Sequence, residues 1–243
     1  MAFPTAAQVI SDAAVELGLV ASDITDPFAS TDQNIIQLLR LLKAAGREVS
    51  RARSWVAQQT EYTFPTANGQ SVYPMPSDFR SMIEQSGWNR TTRFPLGGPL
   101  TPQEWQYLKA QPGAATLTVL FRPRNGNIEV YPVPGATVAT IAFEYVSSSW
   151  VAVTGSTAPT KDGPTVNTDV ILFDPLLLIA AVKLKWKREK GFDSTAAQQD
   201  YDAAFAASSD DDAVAPVLRM DGKSGLGVRL LGDPNIPSLG WNQ

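Results

Sequence analysis

Four glutamates, Glu16, Glu48, Glu84 and Glu104, have the plainest chemical potential in this chain. A pair of carboxylates is what glycoside hydrolysis requires, but no spacing here selects two of the four. Glu104 follows Thr101-Pro102-Gln103 and so has a local task, closing a capping box at a helix start. Glu16 and Glu48 fall on the polar faces of helices. The run Asp210-Asp211-Asp212 offers oxygen ligands to a divalent cation, yet it lacks the spacing of a calcium loop and reads as a solvated linker. Lys183 to Lys190 is basic with Trp186 inside it, and phosphate contact is one reading. On a helix, Lys183, Lys187 and Lys190 share a face that Lys185 does not, so the segment reads as a basic helix end favoured by the dipole. Gly97-Gly98 and Gly222, Gly225 and Gly227 lack the strand–loop–helix setting of a phosphate loop and read as turns.

The 243 residues include no histidine and no cysteine. That excludes Ser-His-Asp and Cys-His nucleophiles, Cys/His zinc sites, disulfides and iron–sulfur clusters. What remains is carboxylate chemistry, Lys, Tyr or Ser/Thr nucleophiles, or no chemistry, and neither cofactor nor metal is expected. Hydrophobic residues at 44% against 18% charged allow a packed core. A net charge of -4 argues against a protein that coats nucleic acid. No apolar run reaches the ~18 residues that span a bilayer. The longest, Ile171 to Leu184, is broken by Asp174, Pro175 and Lys183, and the N-terminus does not read as a secretory signal.

These residues sit on a predicted frame of helices at both ends of a β region. Pro4 to Leu19 carries apolar residues at Val9, Ile10, Ala13, Ala14 and Leu17, with Gly18 near its end. Ser30 or Thr31 is the expected cap of a second helix. Its stripe is Ile35, Leu38, Leu39, Leu42, Ala45 and Val49, and Arg40, Lys43, Arg47, Arg51 and Arg53 make the remainder basic. From Gln58 the period alternates. Glu61–Phe64 and Gln70–Tyr73 read as a hairpin about Asn68-Gly69. Further strands are expected at Ser81–Gln85, Ala115–Arg122, Asn127–Tyr131 and Thr137–Tyr145, with a second Asn-Gly turn at Asn125-Gly126. Thr101 opens a short helix that buries Trp105 and Leu108. Trp88, Trp105 and Trp150 fall where packing is the default. Leu172–Lys190 returns to helix and ends at Gly191; Ser194 caps a last helix running to about Ala207. Ser209–Gln243 has five Asp, five Gly and three Pro and no period, which predicts an extended arm. The expected fold is α+β. A helical bundle is built from residues 1–57 and 168–208, an antiparallel β domain of sandwich or barrel form is inserted at 58–167, and an extended C-terminal arm spans 209–243.

Several segments, in order along the chain, resemble those of the head-to-tail adaptor proteins of short-tailed bacteriophages, also called tail tubular protein A or head-completion proteins. Trp55 closes the first helical region. Tyr73-Pro74-Met75-Pro76-Ser77-Asp78-Phe79-Arg80 is similar to the family's Y-x-L-P-x-D-F segment, with Met75 in place of Leu. Pro99 to Trp105 is similar to its short helix, Ile128 to Pro134 to its strand ending in P-x-P, and Phe143 to Ser147 to f-E-Y-x-S. Asn167-Thr168-Asp169 and Lys185-Trp186-Lys187 through Lys190-Gly191-Phe192-Asp193 resemble its last stretch, so that the likeness covers about residues 1 to 207.

The resemblance implies a structural virion protein, not an enzyme, at the head–tail interface, assembled in the host cytoplasm without membrane contact. Twelve copies would form a ring that binds the portal protein above and the tail nozzle below, while double-stranded DNA passes along the axis without sequence-specific binding. Three surfaces are then expected. The arm docks on the portal or a neighbouring subunit through Val217, Leu218, Leu226, Leu230, Leu231, Ile236 and Trp241. Loops at Thr66, Asn68 and Gly69 and at Arg124 and Asn125 face the nozzle or a neighbour. The basic helix end, Lys183, Lys187 and Lys190, lies near the channel or a subunit boundary. The rival readings are a wall-degrading glycosidase using Glu carboxylates and a carbohydrate-binding β module of a tail appendage, which needs an exposed aromatic platform.

Overall fold

The computed structural model describes residues 3–110 and 118–212. Helix α1 (Ala6–Glu16) starts at a reciprocal capping box. The Thr5 N–H donates to Gln8 Oε1 at 2.8 Å, and the Gln8 N–H donates to Thr5 Oγ1 at 3.3 Å. Helix α2 (Gln33–Ala52) is capped by Asp32 rather than by Ser30 or Thr31, its carboxylate accepting from the Asn34 N–H at 2.8 Å. A charged cap gains from the helix dipole as well as from the hydrogen bond. Helix α3 (Pro102–Ala110) carries the expected box. Thr101 N–H and Oγ1–H both donate to Glu104 Oε2, at 2.7 and 2.8 Å, and Trp105 is buried beneath. Helix α4 (Pro175–Lys190) begins three residues later than the apolar run suggests, because Asp174 caps it and Pro175 occupies its first position. Gly191 ends it at φ 73.

Helix α4 is the centre of the helical half. Leu177, Leu178, Ile179, Ala181, Val182, Leu184 and Trp186 are all buried, and α1, α2 and α5 (Thr195–Asp212) pack around it. The expected end of α5 near Ala207 needs correction, since the helix runs on to Asp212. Three aspartates at a helix C-terminus oppose the dipole, but tertiary contacts override that. Arg53 donates to the Ser209 carbonyl at 2.6 Å, and the Asp212 carboxylate accepts from the Val56 N–H at 3.1 Å. Residues 209–212, expected to open the arm, are therefore the last turn of α5, and Val217, Leu218, Leu226, Leu230, Leu231, Ile236 and Trp241 lie outside the described residues.

Among the described residues ten strands complete the fold: β1 (Gln59–Pro65), β2 (Val72–Pro74), β3 (Phe79–Met82), β4 (Trp88–Asn89), β5 (Phe94–Pro95), β6 (Leu120–Arg124), β7 (Asn127–Tyr131), β8 (Thr140–Ser147), β9 (Val151–Ala152) and β10 (Val170–Ile171). Residues 115–117 of the strand expected at Ala115 lie outside the described residues. Strand β8 carries the larger antiparallel sheet, with β1 along one side and β3 and then β4 along the other; β5 lies outside β4. The second sheet runs β2-β7-β6. The two share one core of Phe64, Tyr73, Phe121, Ile128, Val130, Ile141, Phe143 and Tyr145.

The two Asn-Gly turns behave differently. Asn125 and Gly126, at φ 50 and 71, close the two-residue hairpin between β6 and β7. Asn68-Gly69 also turns the chain, with Gly69 at φ 75, but β1 and β2 are not partners: β1 pairs with β8 and β2 with β7. The expected hairpin is in fact a crossover between sheets.

The short pair β9–β10 belongs to the helical core through Trp150, Val151, Ile171 and Phe173. Trp150 is fully buried, lies parallel to Phe173 at 5.8 Å, and fills the space over Gly46, where a Cβ would overlap its indole. Beside it, Asp169 is 1% exposed and accepts from Lys161 Nζ at 2.7 Å, from the Thr165 N–H at 2.7 Å and from the Val166 N–H at 3.1 Å. Burial pushes this carboxyl up, but the hydrogen bonds from Lys161, Thr165 and Val166 outweigh it and leave it below the ordinary Asp range. Its contribution is therefore complete above the unfolded pKa, about 3.9, and is lost as pH falls through the lower folded value. Asp169→Asn should accordingly flatten the acid limb. Thermal melts between about pH 6 and about pH 2 should show the wild type losing more melting temperature than the variant; parallel curves would contradict this assignment.

Candidate functional site

The helical half and the sheets meet at a buried polar clasp. Asp78 accepts from Tyr145 Oη at 3.0 Å and from Ser147 Oγ at 2.6 Å, and its carbonyl accepts from the Ser148 N–H at 2.7 Å. Burial, then the hydrogen bond to Asp78 and its charge, push the Tyr145 hydroxyl well above its ordinary pKa, so it stays a donor. Two residues later the β3–β8 register shifts at Arg80. Such a bulge re-aims a side chain, and here it goes with a guanidinium that reaches α2, where it donates to the carbonyls of Ser50 and Arg53. Carbonyls in the last turn of a helix lack intrahelical partners and carry the negative end of the dipole, so a cation from the sheet caps α2. Gln58, fully buried where Asp78 and Arg80 are half-buried, places Nε2 2.7 Å from Ser50 Oγ and 3.0 Å from the carbonyls of Ser147 and Ser149. Trp55 closes the clasp, donating from Nε1 to the Val49 carbonyl at 2.7 Å with Arg53 over its ring at 5.1 Å.

Arg80→Met should cost about 1.5–3 kcal/mol, the usual worth of hydrogen bonds to a charged group. Arg80→Lys should recover only part of it, because an ammonium cannot fork to two carbonyls. Urea unfolding checks this, and an unchanged midpoint in Arg80→Met would refute the capping role.

Three of the four carboxylates that suggested hydrolysis are occupied with structure. Glu16 pairs with Lys183 at 2.7 Å and Glu48 with Lys185 at 2.6 Å, both between helices. Glu104 is held below its ordinary pKa by the backbone and side chain of Thr101, the opposite of what a general acid needs. Glu84 is exposed on the loop after β3. Among the described residues no group of three or more acidic side chains is placed to hold a metal ion, and no helix is long and apolar enough to cross a membrane. Trp88 and Phe94, the exposed aromatics of the β4–β5 hairpin, alternate to opposite faces and form no common platform.

A family model described as SU10 adaptor protein matches residues 4–222. The chain belongs to this family. It is a family of head-to-tail adaptors of short-tailed phages, so this adaptor is a structural phage protein, a virion component that interacts with other head and tail proteins. No curated protein matches the chain.

The adaptor's clasp is built from the segments that carry the family likeness: Asp78 and Arg80 from one, Tyr145 and Ser147 from another. Gln58, Ser50 and Gly46 were not singled out. Only Gly46 carries a local signal, a glycine in mid-helix where helix propensity disfavours it. The loop residues separate. Thr66 is buried and accepts from the Ala139 N–H at 2.8 Å, whereas Asn68 and Gly69 are exposed. Gly69 bonds to Pro134 beyond the end of β7, while Gly126 accepts from Met75 at its start. The Asn68-Gly69 and Arg124-Asn125 turns thus sit at opposite ends of the β2–β7 pair. On α4, Lys183 is half-buried against Glu16, and Lys190 lies over the Trp186 ring at 4.4 Å. Lys187, also half-buried, lies close enough to Asp193 to help lower its pKa, behind the hydrogen bonds from Thr195.

Proposed function

We propose that this adaptor joins the portal ring to the tail nozzle as a twelve-fold ring, with double-stranded DNA passing through its lumen unread. The family match over residues 4–222 carries the reading. The glutamates supply a second support: three of the four have a structural partner, which leaves the glycosidase alternative without a pair. A net charge of -4 suits a wall that must not retain DNA. Many modest contacts repeated around a ring lock the joint, although each is weak. Assembly takes place in the host cytoplasm before the tail is complete.

In this reading residues 213–243 form the arm, which docks through Val217, Leu218, Leu226, Leu230, Leu231, Ile236 and Trp241 on the portal or a neighbour. The turn at Asn68 and Gly69 meets the nozzle. Arg124 and Asn125, at the other end of β7, meet a neighbouring subunit, and Lys187 and Lys190 lie at a subunit boundary near the channel. Sedimentation of purified adaptor with portal rings tests the reading. Co-migration of the adaptor with the portal is expected; a free adaptor that instead clears cell-wall substrate in a zymogram would overturn it.

A further inference from the structure

The outward faces of α2 and α5 are opposite in charge and equal in spacing. On α2, Arg40, Arg47 and Arg51 are exposed and lie opposite the core residues Leu38, Leu42 and Val49. Among the described residues, neither Arg40 nor Arg51 has a carboxylate within ion-pair distance, and Arg47 pairs only with the exposed Asp162. Helix α5 contains five aspartates and no lysine or arginine. Its outward side is a ridge of exposed alanines, Ala196, Ala203, Ala206 and Ala207, margined by Asp200, Asp202, Asp210 and Asp211.

Asp210 and Asp211 stand at the C-terminal end of α5, where the dipole disfavours them, and no cation of the described residues pairs with them. Asp200 and Asp211 are eleven residues apart, as are Arg40 and Arg51. Eleven residues make about three helical turns, so each pair recurs on one side of its helix about 16 Å apart. Alanines between the acidic margins allow a second helix to approach to about 8 Å. Both faces point away from the core that α2 and α5 share through α4, and among the described residues of one copy none of Asp200, Asp202, Asp210 and Asp211 pairs with Arg40, Arg47 or Arg51.

We infer that α5 of one adaptor docks across the Arg40–Arg47–Arg51 stripe of α2 on the next copy. The contact uses a different face on each partner, which is the heterologous type that a ring needs. This rests on the ring proposed above and specifies its subunit boundary. It also covers the basic face of α2 and keeps it from the passing DNA.

The test uses the full chain and the absence of native cysteine. Ala44→Cys, central on the α2 face, is combined with Ala203→Cys on α5, and the adaptor is treated with a short bismaleimide with and without portal rings. A ladder of covalent oligomers from the double variant, absent from either single variant, is expected. A ladder without any portal binding would support the interface and defeat the portal reading. A ring on the portal without a ladder would overturn the interface and leave the portal reading standing, and neither ring nor ladder would defeat both. Charge reversal supplies the second arm. Arg40→Glu with Arg51→Glu, and separately Asp200→Lys with Asp211→Lys, should each cut assembly at least tenfold at low salt, and combining all four should restore most of it. If the arginine reversals abolished DNA retention while the aspartate reversals left assembly intact, the stripe would be a DNA contact and the inference wrong.

Discussion

Trp150→Ala is expected to lower the stability of the adaptor by about 3–5 kcal/mol, the range for removing a large buried aromatic. For a chain of this size that is a fall of roughly 10 °C in melting temperature. Three losses coincide. The indole is fully buried over Gly46, so its removal leaves a cavity that the backbone of α2 cannot fill. Its parallel contact with Phe173 goes, and Phe173 in turn packs at 5.5 Å on Trp55, which meets Phe205 of α5 at 5.9 Å. The hydrogen bond from Nε1 to the Asp162 carbonyl, 2.8 Å, is also lost. Trp88→Ala, at a surface position 36% exposed, is the control and should change little. Equal melting shifts in the two variants would show that this aromatic row does not hold α2, α5 and the β9–β10 segment together.

Ending the chain at Asp212 is expected to abolish portal attachment while leaving a folded protein. The proposed attachment draws on the apolar side chains Val217, Leu218, Leu226, Leu230, Leu231, Ile236 and Trp241 within residues 213–243. The point of truncation matters. A cut at Ser209 would also remove the carbonyl that Arg53 holds and the carboxylate that caps the Val56 N–H, and would weaken the clasp itself. A cut after Asp212 spares both, so its melting temperature should stay within a few degrees of the full chain's. Sedimentation with portal rings should then show the truncated adaptor unbound. Binding equal to that of the full chain would remove the arm from the interface.

The elements that local chemistry determines were legible in the sequence. The Thr101–Glu104 box, Gly191 as a left-handed stop and the Asn125-Gly126 hairpin each need only neighbouring residues, and each forms as expected. The Asn68-Gly69 turn forms without the expected hairpin, because a turn does not choose the partners of its strands. Strand β1 pairs with β8, far along the chain, and that choice is made by the shared core of Phe64, Ile141 and Phe143. Helix α5 runs past Ala207 for a related reason: an aspartate run looks like a helix stop until Arg53 and Val56 are placed beside it. Of the site, Asp78 and Arg80 stood out in a recognisable segment. Gln58 and Ser50 did not, since a buried polar residue with long-range partners leaves no period and no spacing to read.

The portal-to-tail reading is tested most directly by three-dimensional imaging of the head–tail joint in assembled particles. A twelve-fold ring of this chain between portal and nozzle is expected, open along its axis, with residues 213–243 against the portal. A trimer on a tail appendage, or a joint built without this chain, would contradict it.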